Sequence, residues 1–125
     1  MLGPFEEDEG MPMQIEELLE ERILILDGAL GTMIQSRQLV EEDFRGERFR
    51  DCDTDLLGNN EVLNITNEKI ILDIHRDYLE AGSDIIETNT FSANSISQKD
   101  YGLQDLTFEM NLSAAKIARM AVDEE

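Results

Sequence analysis

With 125 residues, 41% of them hydrophobic, the chain has the length and apolar content for one modest core and is too short for several large domains. Its 29 acidic residues against 10 basic ones leave a net charge of −19, which repels nucleic acid and anionic membrane surfaces and excludes both as expected partners. The single cysteine, Cys52, excludes an internal disulfide and a cysteine-based metal cluster, and fits a reducing cytosol.

Residues 1–12 read as a disordered acidic head carrying Glu6, Glu7, Asp8 and Glu9. The head has neither the basic-then-apolar order of a secretory signal nor the acid-poor character of a transit peptide. No apolar run approaches the roughly 20 residues that span a bilayer, so a soluble, cytoplasmic chain is expected. A short helix is predicted over about 13–22 from the helical spacing of Ile15, Leu18 and Leu19. The run Ile23-Leu24-Ile25-Leu26, closed by Asp27-Gly28, predicts a strand buried on both faces. A helix to about Gln38 follows, then a polar, irregular stretch over 39–60 that Phe44 and Phe49 are expected to pin to the body. Thr66 is the predicted N-cap of a helix bearing Ile70, Ile71, Ile74, Tyr78 and Leu79, stopped by Gly82. Residues 83–91, ending Glu87-Thr88-Asn89-Thr90-Phe91, predict a second buried strand with a polar carboxyl end. After a connector over 92–104, a last helix from about Asp105 places Leu106, Met110, Ala114, Ile117, Ala118 and Ala121 on one face.

Strands alternating with helices imply parallel strands and right-handed crossovers. Two such strands leave edges uncovered, and a (βα)8 barrel takes about 250 residues. The expected fold class is therefore α/β, parallel strands with crossover helices, in a partial domain over 13–125.

Ligands of parallel α/β folds sit at the carboxyl ends of strands, which singles out two segments. In the first, the Asp27 carboxylate suits a ligand ammonium group, and the amides of Gly28 and Ala29 suit a carboxylate. The same residues serve equally well as a plain tight turn. In the second, Glu87, Thr88 and Asn89 are candidate pocket residues, with alternation putting Glu87 and Asn89 on one side and Thr88 and Thr90 on the other. Loop-anchoring polars are the other reading of that segment. The acidic run Asp51-Cys52-Asp53-Thr54-Asp55 lacks the later glycine and glutamate of a calcium loop. His75, the lone histidine, reads as structural or surface, and Cys52 among acids is a poor nucleophile.

The run from Ile25 to Gln35 resembles the opening of the homocysteine-binding domain of cobalamin-dependent methionine synthases. Phe44-Arg45-Gly46-Glu47, Gly58-Asn59-Asn60-Glu61-Val62-Leu63, 81–91 and Asp100-Tyr101-Gly102-Leu103 are similar to that family's next blocks, in order. The resemblance implies that the chain is the amino-terminal portion of a (βα)8 TIM barrel, and it implies methyl transfer from methylcobalamin to homocysteine held on zinc by three cysteine thiolates, giving methionine, with homocysteine and the enzyme's remaining domains as partners. It assigns Asp27 to the substrate amino group, Gly28 and Ala29 to its carboxylate, and Glu87, Thr88 and Asn89 to the pocket lining. Cys52 matches none of the zinc cysteines, so no catalytic or metal-binding residue is expected in this chain, no zinc or cobalamin bound by it alone, and no activity from it alone. A homocysteine methyltransferase using betaine or S-methylmethionine, or a non-catalytic protein that self-associates through strand edges, are the alternatives.

Overall fold

A computed structural model describes residues 13–124, so the acidic head expected over 1–12 lies outside the described residues. Seven α-helices and two 3-10 turns are described: α1 (Ile15–Glu21), α2 (Leu30–Gln35), α3 (Glu41–Arg45), a 3-10 turn (Asn60–Val62), α4 (Leu63–Thr66), α5 (Glu68–Ala81), α6 (Ser95–Lys99), a second 3-10 turn (Gln104–Leu106) and α7 (Thr107–Asp123). None of the described helices is long and apolar enough to cross a membrane.

The core is built where the apolar spacing is strongest. α5 buries Ile71, Leu72, Ile74 and His75, and α7 buries Met110, Ala114, Ile117, Ala118 and Ala121. The small alanines of α7 let α5 approach closely, and α4 lies against both through Leu63 and Asn64. Leu56, Val62 and Phe44 close the same core, and Phe49 packs against it. Gly82 ends α5 in the left-handed region (φ 113°), the stop its position predicted. Thr66 differs from expectation. It ends α4, its hydroxyl donates to the Val62 carbonyl, and Asn67 takes the N-cap position of α5 instead. The polar stretch over 39–60 also holds unexpected order. The Glu41 carboxylate accepts from the Leu56 amide (2.5 Å) and the Leu57 amide (2.7 Å), and Arg45 donates to Glu41 (2.8 Å) and to the Cys52 carbonyl (2.6 Å). Burial pushes the Glu41 carboxyl up, but these donors outweigh it and hold it below its usual range.

The α/β expectation is overturned. Among the described residues there is no strand and no sheet, and the architecture is helical rather than a portion of a (βα)8 barrel. The two predicted strands meet in one isolated parallel bridge, Leu26 to Ile85. Its two bonds are Ile85 N–H to the Ile25 carbonyl (3.1 Å) and Asp27 N–H to the Ile85 carbonyl (2.9 Å). A parallel ladder would continue with the Ile25 amide donating to the carbonyl of 83 and the Glu87 amide donating to that of 27. Both amides are intercepted by side chains instead. Asp84 Oδ2 accepts from Ile25 N (2.8 Å), and Asp27 Oδ2 accepts from Glu87 N (3.1 Å). Burial on both faces fails with the ladder: Ile23 is 85% exposed and Leu26 50%. α1 forms as its spacing predicted, yet none of its residues is buried.

Candidate functional site

Beside the bridge lies a cavity of about 450 Å³. Its wall comes from three stretches far apart in sequence: the turn Gly28–Gly31 entering α2, the residues Gly58, Asn60 and Glu61, and the segment Glu87–Ser92. Five of the six residues singled out in the sequence, Gly28, Ala29, Glu87, Thr88 and Asn89, line it.

The turn is held from below by α5. The Tyr78 hydroxyl donates to the Ala29 carbonyl (2.7 Å), and a Cβ on residue 28 would stand 3.0 Å from that hydroxyl oxygen, so any larger residue there would make the Tyr78 ring give way. Among the described residues, the amides of Gly28 and Ala29 find no acceptor.

Asp27 stands behind the wall rather than in it. Oδ2 holds the Glu87 amide, and Oδ1 is covered by protein with no hydrogen-bond partner. A ligand ammonium cannot reach Oδ1 without moving the turn. His75 on α5 is fully buried, and neither ring nitrogen has a partner among the described residues. Burial pushes its imidazole below the ordinary value, and the Asp27 carboxylate opposes that shift.

The far wall is organised by buried amides. Asn89, 3% exposed, donates to the Asn60 carbonyl (2.9 Å) and to Asn64 Oδ1 (3.0 Å). Asn64 donates back to the Asn89 carbonyl (2.8 Å) and to the Met110 carbonyl of α7 (3.2 Å). Asn59 and Gln98 exchange reciprocal bonds (2.8 and 3.1 Å), and Gln98 also donates to the Ser92 carbonyl (3.0 Å). The Ser92 amide donates to Glu61 Oε1 (3.1 Å).

The strict alternation expected over 87–90 is absent, because Thr90 N–H turns back onto the Thr88 carbonyl (3.0 Å) and all four residues reach the cavity. The Thr88 and Thr90 hydroxyls bond each other (2.8 Å). Sequence reasoning missed Asn60 and Glu61 as wall residues. They stood in a quoted block, Gly58–Leu63, but nothing local to it shows that Asn89, 29 positions on, fastens it to the second segment.

The zinc that the resemblance implies has no fitting donor set here. Among the described residues no three of His, Cys, Asp or Glu converge, the Cys52 thiol donates to the Thr54 carbonyl (3.4 Å), and the His75 nitrogens are sealed in the core. The groups that converge on the cavity are free amides, hydroxyls, an amide network and carboxylates, a set that can hold a small zwitterion.

A family model described as homocysteine S-methyltransferase matches residues 24–125 and so takes in every residue of the cavity. Enzymes of that description move a methyl group to homocysteine. The chain belongs to the homocysteine S-methyltransferase family.

Proposed function

We propose that this cavity holds the amino-acid end of L-homocysteine, and that the chain supplies this substrate-holding part of a homocysteine methyltransferase. The observation that carries the reading is the convergence of Gly28, Ala29, Glu87, Thr88 and Asn89 on one concavity. The unpartnered amides of Gly28 and Ala29 would receive the substrate carboxylate, since backbone donors bind such anions well. Thr88 and Asn89 line the remainder, and Glu87 stands exposed at the rim. Asp27 acts here as a positioning residue, its carboxylate fixing the Glu87 amide and so the course of the second segment.

We infer methylcobalamin as the methyl donor of the enzyme in which this site works, giving methionine. The support is the resemblance of the Gly58-Asn59-Asn60 and Glu87–Phe91 blocks to the cobalamin-dependent branch rather than to betaine or S-methylmethionine users. Zinc and cobalamin enter through that resemblance alone, and no step is assigned here to either.

Calorimetric titration of the 125-residue chain with L-homocysteine under reducing conditions tests the reading. Saturable binding at one site is expected. Asp27→Ala should weaken it about five-fold or more, the worth of one hydrogen bond, while Asp27→Asn, which keeps an oxygen for the Glu87 amide, should recover most of the loss. No binding by the wild-type chain would refute the reading.

A further inference from the structure

We propose that His75 is a positioning residue for the substrate-holding turn: its neutral imidazole turns one ring N–H toward the covered oxygen of Asp27 and so fixes the carboxylate whose other oxygen holds the Glu87 amide. The proposal rests on the cavity being an amino-acid site and names the group that sets the Asp27 carboxylate in place.

At the turn and beneath it, three polar atoms are buried without a hydrogen-bond partner among the described residues: Asp27 Oδ1 and both ring nitrogens of His75. Such orphaned groups are few in folded proteins, and each alone is costly. Here the two side chains are complementary. A neutral imidazole carries one N–H donor, and a carboxylate oxygen only accepts. Burial pushes the His75 imidazole below its ordinary value, so the ring is neutral at neutral pH, and the Asp27 carboxylate is the charge that opposes the shift.

The fold sets the two side chains on the same side of α5. The helix runs under the turn, where the Tyr78 hydroxyl supports the Ala29 carbonyl (2.7 Å). His75 precedes Tyr78 by three positions and so shares its face of the helix. Other charges do not compete. α2 and α4 carry none, and Asp73, Arg76 and Asp77 of α5 are engaged with Lys69, Glu124 and Arg37. Leucine at 75 would serve the surrounding core as well, whereas a ring donor serves Asp27 Oδ1. The link, direct or relayed by one buried water, sets the plane of the carboxylate before a ligand arrives. Oδ2 then meets the Glu87 amide with little freedom left to lose.

Calorimetric titration of L-homocysteine into the wild-type chain, His75→Leu, Asp27→Ala and the double variant tests the link. His75→Leu should weaken binding about five-fold or more in the wild-type background, the worth of one hydrogen bond. In the Asp27→Ala background it should change binding by less than about two-fold, because a residue acting through Asp27 has nothing left to hold there. Either His75→Asn or His75→Gln, whose amides donate from about the places of Nδ1 and Nε2, should recover most of the loss. An equal loss in both backgrounds makes His75 a core residue only and overturns the proposal, as does no loss in either or recovery by neither amide. If the wild-type chain does not bind homocysteine, the amino-acid reading falls. In that case, or if His75→Leu fails to fold, the ring proton of wild type decides the link separately. The chain has one histidine, so nitrogen-15 labelling of histidine reports a single imidazole. At about pH 7.5 it should show one ring N–H slow to exchange with water, whose resonance moves upfield in Asp27→Ala as a charged acceptor is lost. A magnetisation transfer from water to that proton identifies the relayed form. A ring proton that exchanges freely, or one unmoved in Asp27→Ala, overturns the proposal.

Discussion

Asn64 is the residue on which the helices and the cavity jointly depend, and Asn64→Ala is the perturbation that reveals it. The side chain is 1% exposed and makes three bonds: to the Asn89 carbonyl (2.8 Å), to the Met110 carbonyl (3.2 Å), and from the Asn89 amide (3.0 Å). Truncation leaves two carbonyls with one donor fewer each, while Asn89 keeps its bond to the Asn60 carbonyl. At about 1 kcal/mol net for each of three bonds, and more for groups left buried without a partner, the variant should lose about 3–5 kcal/mol. That is a large share of the roughly 5–15 kcal/mol that holds a domain together. Urea unfolding followed by far-ultraviolet circular dichroism measures it through the midpoint, because a helix-rich chain reports strongly there. Water entering the gap would soften the loss, so a value near the lower bound remains consistent. A loss under about 1 kcal/mol would refute the reasoning, since it would mean that α4, α7 and the Asn89 segment do not share this side chain as a tie.

Two further outcomes follow from single groups. Because burial depresses the His75 imidazole in the folded chain, the unfolded chain takes up that proton first. The associated stability is complete above about pH 6.5 and is lost as the pH falls below it, so the melting temperature should drop between pH 7.5 and 5.5. The drop should shrink in His75→Leu, and an unchanged drop there would assign the effect to other groups. Gly46 holds φ 57°, and an added Cβ would meet the Thr66 carbonyl oxygen at 3.0 Å and the Thr66 Cβ at 3.1 Å. Gly46→Ala should therefore cost about 1–2 kcal/mol or more, read from the same urea midpoint, and a neutral result would show that this turn can relax away from α4.

The helices were legible where sequence spacing and tertiary burial agree. α5 and α7 each carry an apolar stripe of helical period, and Gly82 stops α5 because only a residue free to adopt φ 113° closes it there. The strands were not legible for a reason of physics. An apolar run such as Ile23–Leu26 looks the same whether it is sandwiched in a sheet or left in solvent, and here Ile23 and Ile25 are mostly exposed. What ends the pairing is the side chains of Asp27 and Asp84, which take the amides that neighbouring carbonyls would have received. Both aspartates sit where a strand-end or turn acid is ordinary, so their composition gives no warning. α3 escaped notice because its start is made by Asp43, whose carboxylate accepts from the Val40 amide (2.8 Å), in a stretch whose scattered apolar residues show no helical spacing. Of the cavity, the turn and the 87–89 segment were visible as polar ends of apolar runs. Asn60 and Glu61 were not, because their place depends on Asn89 and Ser92, about thirty positions along the chain.

The segment 84–87 hangs between two aspartates, and the two ends answer acid differently. At one end Arg22 clasps Asp84 through both guanidinium nitrogens (2.8 and 2.7 Å). That clasp, joined by the Ile25 amide, holds the Asp84 carboxyl down at about 2. The contribution of Asp84 is present above the ordinary aspartate range and is lost only as the pH falls from about 4 toward about 2. At the other end Asp27 carries the cavity side of the segment, with His75 close enough for its charge to be felt. His75 sits on α5 one turn before Tyr78, whose hydroxyl supports the Ala29 carbonyl. A proton forced onto the buried imidazole therefore acts on the helix beneath the Gly28–Gly31 turn while the Arg22–Asp84 clasp is still intact. Mild acid should loosen the floor of the cavity first, and the bridge Leu26 to Ile85 should outlast it until the Asp84 carboxylate is protonated.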